Sequence, residues 1–261
     1  MKIAIIGCGV MGSAFARFLG KKHQVFLCGK DPEKLKCLSK ETNAPIATTE
    51  EGCKKADVII LAFKPKDLKK AALEFSKYVT EGKIVLSILS GADTTVLQSL
   101  FPQANIVRTM PNLALTCGQG IIGVSDNLDS EVKSKVDALL TGMGLVYYLP
   151  EAKMEAFTAL CGSSPAFVFV ILEAMMEGGV ALGFSFKDSS QLVIKAFEGA
   201  IALLKETGKH PAELKMQISS PAGTTIAGLN EMELQGVRSG LIKTLFACYD
   251  RSVEMSKEQK S

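Results

Sequence analysis

Near its start the chain runs through Ile3-Ala4-Ile5-Ile6 straight into Gly7-Cys8-Gly9-Val10-Met11-Gly12. This G-x-G-x-x-G spacing stands where a strand turns into a helix. The first glycine permits a tight turn, the second lets the backbone approach a pyrophosphate, and the third lets the helix pack closely on the strand. The apolar-rich helix that follows, Ser13 to Leu19, offers its unpaired N–H groups and positive dipole end to phosphates. The strand–turn–helix setting gives the spacing its meaning. We therefore expect a dinucleotide at Ile6, Gly7, Gly9, Val10, Met11 and Gly12. A glycine-rich turn that binds nothing is the other reading of the same residues.

At 261 residues the chain can bury a sizeable core, in one large domain or two smaller ones. Its 47% hydrophobic and 22% charged residues are those of a globular protein, not a disordered one. A net charge of +3, with no basic stripe interleaved with aromatics, argues against nucleic acid as a partner. The seven cysteines, at 8, 28, 37, 53, 117, 161 and 248, are odd in number and form no C-x-x-C pair. They point to a reducing, cytoplasmic compartment with no disulfides and no bound metal. The N-terminus is already a core strand rather than a signal peptide. No apolar run approaches the ~18–20 residues that span a bilayer, so no membrane is expected.

Residues 1–150 alternate short apolar runs with amphipathic segments. Strands are expected at Lys2–Ile6, Gln24–Cys28, Val58–Ala62, Lys83–Ile88, Asn105–Thr109, Gly120–Ser125 and Leu145–Tyr148. Helical patterns at Pro32–Glu41, Asp67–Tyr78, Thr94–Leu100 and Ser130–Leu140 lie between several of them. Such alternation predicts an α/β fold with a parallel, doubly wound sheet. The pattern changes near Pro150. Residues 151–261 show no convincing strand, only long helical stretches at Pro165–Leu182, Asp188–Glu206 and Leu234–Glu254. Phe167-Val168-Phe169-Val170-Ile171-Leu172 is apolar all round, which calls for complete burial. A partner subunit is the simplest source of the missing layer, so an obligate homodimer built from this half is expected.

The strand Gln24–Cys28 ends in Gly29-Lys30-Asp31, where an NAD site usually presents a carboxylate to the ribose 2′-OH. Lys30 would attract a 2′-phosphate. Asp31-Pro32-Glu33 reads as an N-cap with proline at the first helical position. The balance favours NADPH, with NADH as the alternative. Leu61-Ala62-Phe63-Lys64-Pro65 lies at the carboxyl end of a strand, the edge where open α/β sheets bind ligands. Ala62, Phe63, Lys64 and Pro65 are therefore further cofactor candidates. Arg108-Thr109-Met110-Pro111-Asn112 is a second candidate cluster. A third is Ser219-Ser220-Pro221-Ala222-Gly223-Thr224-Thr225, whose backbone N–H groups and hydroxyls suit a carboxylate. A simple capping turn is its bland reading. Strong general acids are scarce. His23 and His210 have no acid at triad or metal spacing, and no Tyr-x-x-x-Lys stands out. Such a reductase suits a substrate that already carries positive charge, such as an iminium.

Taken together and in order, these segments resemble pyrroline-5-carboxylate reductases, from Ile3 to about Arg251. The family's strand end resembles Leu61 to Pro65, and its Arg-x-Met-Pro-Asn stretch matches Arg108 to Asn112. Its Ser-Gly-Ser-Gly-Pro-Ala-aromatic segment looks like Cys161 to Phe167. Its most specific signature resembles Ser219 to Thr225, followed by Ile226, Gly228, Leu229, Met232 and Glu233. The resemblance implies a Rossmann domain (1–150) followed by an all-α dimerisation and substrate domain (151–261). It implies NAD(P)H-dependent reduction of 1-pyrroline-5-carboxylate to L-proline by a homodimer or an assembly of dimers. It places Glu151, Ser220, Gly223, Thr224 and Thr225 at the substrate, with Thr225 near the ring nitrogen as the catalytic hydroxyl. The chain departs from the pattern at Cys161, Ser164 and Ala222, and Cys28-Gly29-Lys30 lacks the common Asn-Arg ending. Two other readings stay open. A β-hydroxyacid dehydrogenase would need a helical lysine; Lys195 follows Gln191 and Leu192 rather than the usual Gly-x-x-Gly. A dinucleotide-binding regulatory protein would need no general acid.

Overall fold

In the computed structural model, which describes Met1–Lys260, seven strands form one sheet in the order β2-β1-β3-β4-β5-β6-β7. They are β1 (Lys2–Ile6), β2 (Gln24–Cys28), β3 (Val58–Leu61), β4 (Ile84–Ser87), β5 (Asn105–Pro111), β6 (Gly120–Ser125) and β7 (Gly144–Leu149). Helices α1 (Val10–Leu19), α2 (Pro32–Thr42), α3 (Thr49–Lys55), α4 (Leu68–Phe75), α5 (Thr94–Leu100) and α6 (Ser130–Leu140) connect them.

The period-2 alternation of the strands explains why both faces are covered. Ile3, Ile5, Val58, Ile60, Ile84 and Leu86 point to one face, against Phe15 and Leu19 of α1, Leu35 of α2 and Val136 of α6. Ala4, Ile6, Ile59, Leu61 and Val85 point to the other, against Leu68 and Phe75 of α4 and Leu97 of α5. The sequence pattern suggested a parallel sheet, and the sheet is mostly but not wholly so. β1 to β5 are parallel, but β5 and β6 pair antiparallel, and β7 runs parallel to β6. Only a short 3-10 turn (Leu113–Cys117) joins β5 to β6. It is too short for the crossover that a parallel pair requires.

After β7 the chain is helical: α7 (Met154–Phe157), a π-helical turn at Thr158–Gly162, α8 (Ser164–Ala181), α9 (Phe186–Thr207), α10 (Pro211–Ile218), α11 (Thr224–Leu234) and α12 (Val237–Lys260). Two compact units result: Met1–Ser163 with the chain from Cys248 onward, and Ser164–Ala247.

In the first unit a buried ion-pair cluster fastens the end of the sheet to the helices that follow it. Arg108 on β5 is 1% exposed. Its Nη1 donates to Glu151 Oε1 and its Nη2 to Glu155 Oε1, both at 2.9 Å. Glu151 Oε1 also accepts the Thr94 amide of α5 at 3.0 Å. The end of α12 joins in: Ser256 Oγ donates to Glu155 at 2.7 Å, and Lys260 pairs with Asp93 at 2.8 Å. Arg108 to Asn112 thus forms a structural seam between the sheet and the helices that follow it. Thr109 Oγ1 donates to the Ser87 carbonyl at 3.0 Å. Asn112 Nδ2 donates to the Cys161 carbonyl at 3.1 Å, while its Oδ1 accepts from the Ile121 amide at 3.1 Å.

The second unit carries none of the buried apolar clusters, all of which lie in the first. Val168, Phe169 and Val170 of α8, expected to be wholly buried, are 43%, 62% and 63% exposed. Gly178-Gly179 does not break α8. Gly179 instead lets Ser189 of α9 come close enough to donate to the Met176 carbonyl at 2.7 Å. One further expectation is corrected: Glu151–Ala181 is long and apolar enough to cross a membrane, with a mean hydropathy of 1.7 over its richest window. Gly162, Ser163, Ser164 and Pro165 interrupt the apolar run without making the helix polar on average.

Burial alone would raise the Glu155 carboxyl, but hydrogen bonds from Ser256 and Arg108 and the Arg108 charge hold it below the ordinary carboxylate range. A folded pKa below the unfolded value contributes stability that is present above the unfolded value and lost as pH falls through the folded one. Urea unfolding followed from about pH 7 to about pH 3 should show stability falling below about pH 4.5, less steeply in Glu155→Gln. Arg108→Ala, which strands two carboxylates, should cost about 3–5 kcal/mol at neutral pH. A loss under about 1 kcal/mol would show that the cluster is not a buried pair in solution.

Candidate functional site

The order β2-β1-β3 makes the carboxyl ends of β1 and β3 the place where the sheet's connections diverge, and a cavity opens there as such topology predicts. It encloses about 650 Å³. Ile6, Gly7, Gly9, Val10 and Met11 line it from the first turn, Lys30 from the end of β2, and Ala62, Phe63 and Lys64 from the end of β3. Two expected residues, Gly12 and Pro65, do not reach it. Gly12 lies one turn inside α1, and Pro65 opens the 3-10 turn Pro65–Asp67. The sequence reading missed the contributions of Lys34 and Leu35 on α2, Thr49 on α3, and Lys70 and Glu74 on α4. The helical period of Pro32–Glu41 placed Lys34 one turn past the cap, the one signal available for it.

Sterics set the three glycines apart. Gly7 has φ +99°, and a Cβ there would stand 2.5 Å from the Ala62 carbonyl oxygen. A Cβ on Gly12 would overlap the Gly7 carbonyl oxygen, whereas one on Gly9 would meet nothing within 4 Å. The turn is therefore closed against protein and open toward the cavity. Gly9 is the N-cap of α1, with no side chain closing the first turn and no acidic residue in it. Bare N–H groups facing an open cradle fit a dinucleotide pyrophosphate. Asp31 caps α2, its Oδ1 accepting the Lys34 amide at 3.1 Å.

In the second unit, Ser219 to Gly223 form a turn into α11. Gly223 is its N-cap, so no side chain closes the helix start. The bland reading, a Ser or Thr spent on capping, does not describe this turn. The amides of Thr224 and Thr225 lie in the uncapped first turn, and the Thr225 side chain is half-buried. Ala222 adopts φ +57°, where the family pattern has glycine; its methyl costs about 1–2 kcal/mol in this left-handed conformation. Glu151, expected at the substrate, belongs to the Arg108 cluster and spends Oε1 there. Lys195 is exposed and pairs with Glu198 at 3.1 Å. His210 caps α10 through Nδ1.

A doubly wound sheet with an open glycine cradle at its switch point, followed by a helical unit without its own core, defines the class: a Rossmann-type dinucleotide-binding protein with a helical C-terminal part. Within that class, the chain belongs to the pyrroline-5-carboxylate reductase family, whose members are NAD(P)-dependent oxidoreductases. The family model described as pyrroline-5-carboxylate reductase dimerisation matches residues 151–255, and one described as NADP oxidoreductase coenzyme F420-dependent matches residues 2–91. A pyrroline-5-carboxylate reductase of Aquifex aeolicus is 33% identical over 99% of this chain and 97% of its own length. One of Synechocystis is 32% identical over 99% of both. The crystal structure of Plasmodium falciparum pyrroline carboxylate reductase with NADP bound superposes with a TM-score of 0.89, at 25% identity, over 98% of each chain.

The glycines yield a paired test. Gly9→Ala should unfold within about 1 kcal/mol of wild type, since the methyl meets no protein atom. It should nevertheless lose most NADPH affinity in a fluorescence titration. Gly12→Ala should lose both stability and binding. Unchanged NADPH affinity in Gly9→Ala would remove the pyrophosphate from the turn.

Proposed function

We propose that the protein reduces the C=N bond of 1-pyrroline-5-carboxylate to give L-proline, with NADPH as the hydride donor. The observation that carries the reading is similarity to reductases of this name along the whole chain, at 33% and 32% identity. NADPH supplies the hydride for the ring carbon. Gly7 to Met11, Ala62 to Lys64 and Lys30 would hold it. A functional division into a dinucleotide-binding domain (1–150) and a helical substrate and dimerisation domain (151–261) is supported by a family match that begins at residue 151.

The chain's own contribution to the chemistry follows from the charge changes of the substrate. The ring bears a carboxylate and, once protonated, an iminium nitrogen. The uncapped first-turn amides of α11, with Ser220 and Gly223 in the turn before it, suit the carboxylate. When the carbon receives hydride, the nitrogen loses its positive charge and becomes an amine. The Thr225 hydroxyl can hold that nitrogen by a hydrogen bond through the change. No strong acid is then required, and placement of the reacting carbon supplies most of the rate.

The exposed apolar helices support a homodimer. Val168, Phe169 and Val170 on α8, Leu241, Ile242 and Phe246 on α12, and Ile194 and Ile201 on α9 all stand open in a single chain. Monomers rarely expose so much apolar surface. A second copy covers it without a bilayer. Seven cysteines without a disulfide among the described residues suit a reducing, cytoplasmic setting.

Thr225→Ala should lower kcat/KM for pyrroline-5-carboxylate by about 100-fold, the low end for a positioned proton-transfer partner, because water partly substitutes. Thr225→Ser should retain most activity, and NADPH binding should be unchanged in both. Wild-type kinetics in Thr225→Ala would reduce this residue to a helix residue and remove the site from α11. Sedimentation of the wild type should show a dimer or larger, and Val170→Asp should abolish both dimer and soluble enzyme. A fully active monomer would refute the assembly.

A further inference from the structure

A carboxylate near the end of β2 is the feature by which a Rossmann site holds a ribose 2′-OH and repels a 2′-phosphate. This chain has one there, Asp31, and it lines the dinucleotide cavity beside Lys30 and Lys34. Both of its oxygens are engaged by Lys34. Oδ1 accepts the Lys34 amide at 3.1 Å, and Oδ2 pairs with Lys34 Nζ at 3.2 Å. We propose that Lys34 is a specificity-determining residue of the cofactor site: it neutralises Asp31 and so lets Lys30 and its own ammonium receive a 2′-phosphate. The inference rests on the NADPH reading above and deepens it.

Charge and geometry carry the argument. Lys30, Lys34 and Asp31 together hold two positive charges and one negative, a net +1 at the mouth of the cavity. Without Lys34 the sum is zero, and Asp31 recovers a free oxygen for a ribose hydroxyl. A 2′-phosphate carries about −1.5 to −2 at neutral pH, so the same change weakens one cofactor and favours the other. Lys34 is placed for this by the cap: Asp31 at the N-cap and Pro32 at the first helical position fix residue 34 at the third. Both side chains of the pair are exposed, so the pair is weak for folding. Its effect falls on a charged ligand entering the cavity.

The test is a set of binding titrations, by calorimetry, of NADP⁺, NAD⁺, adenosine 2′,5′-bisphosphate and adenosine 5′-monophosphate. Wild type, Lys34→Ala, Asp31→Asn and the double variant are compared. Asparagine keeps the cap. Lys34→Ala should weaken NADP⁺ and the bisphosphate about tenfold, as the loss of a charge-assisted partner implies. It should leave NAD⁺ and the monophosphate within about twofold. Asp31→Asn should strengthen NADP⁺, and in its background the Lys34→Ala loss should shrink to about threefold. An unchanged NADP⁺ to NAD⁺ affinity ratio in Lys34→Ala overturns the proposal. An equal tenfold loss in both backgrounds overturns the role given to Asp31. Failure of the wild type to bind NADP⁺ at all would instead overturn the NADPH reading, a distinguishable result. Melting temperatures of the four proteins should agree closely; a large drop in Lys34→Ala would assign Lys34 to folding and also overturn the proposal.

Discussion

The approach of the Gly7–Gly12 turn to the end of β3 is the contact on which the cofactor site depends. The Gly7 amide donates to the Cys28 carbonyl and the Ala62 amide to the Ile6 carbonyl, each at 2.8 Å. These bonds draw the ends of β1, β2 and β3 together at one edge. The price is space: Gly7 faces the Ala62 carbonyl, and Gly12 faces the Gly7 carbonyl, at distances no side chain tolerates. Only glycines at these two positions let the strand end, the helix start and the neighbouring strand occupy one small volume. With protein atoms packed that closely behind the turn, the uncapped start of α1 is left to the cavity.

Behind that edge the sheet needs an anchor of another kind. Arg108 brings a full charge into the first unit, and Glu151, Glu155 and the hydrogen bonds around them compensate it. Replacing such a cluster by apolar groups is often neutral, whereas removing one member is expensive. The cluster gives specificity of arrangement. It ties β5, the start of α5, the helical turn at Glu151–Lys153 and the last turns of α12 to one guanidinium. The second unit is organised on the opposite principle. It offers apolar helices with almost no interior of their own.

Some of this was plain from local sequence and some was not. The strands Lys2–Ile6, Gln24–Cys28 and Gly120–Ser125 were read to the residue. Short apolar runs bounded by turn residues carry their own limits. Asp31-Pro32 read as a cap because capping is local chemistry. The reversal at β6 was not legible, since strand direction depends on which edge a chain returns to. Nor was the role of Arg108. A strand-end arginine at a sheet edge suggests a ligand site, and its pairing with carboxylates 43 and 47 residues away appears only in the fold. Nor did local pattern show that Glu151 Oε1 pairs with Arg108. Helices α3, α10 and α11 escaped notice because each is short or lacks an apolar stripe.

By itself, then, the sequence determined the glycine cradle, the alternation that makes the first half a layered sheet, and the switch near Pro150 to apolar helices. These follow from backbone sterics and hydrophobic period, which act over a few residues. Tertiary structure decided which carboxylates meet Arg108, that α11 begins without a side-chain cap, and that Lys34 takes both oxygens of Asp31. Those depend on where separate segments come to rest, or on the rotamer a side chain adopts there. A charge far along the chain becomes a partner only once the sheet has brought it within about 3–4 Å.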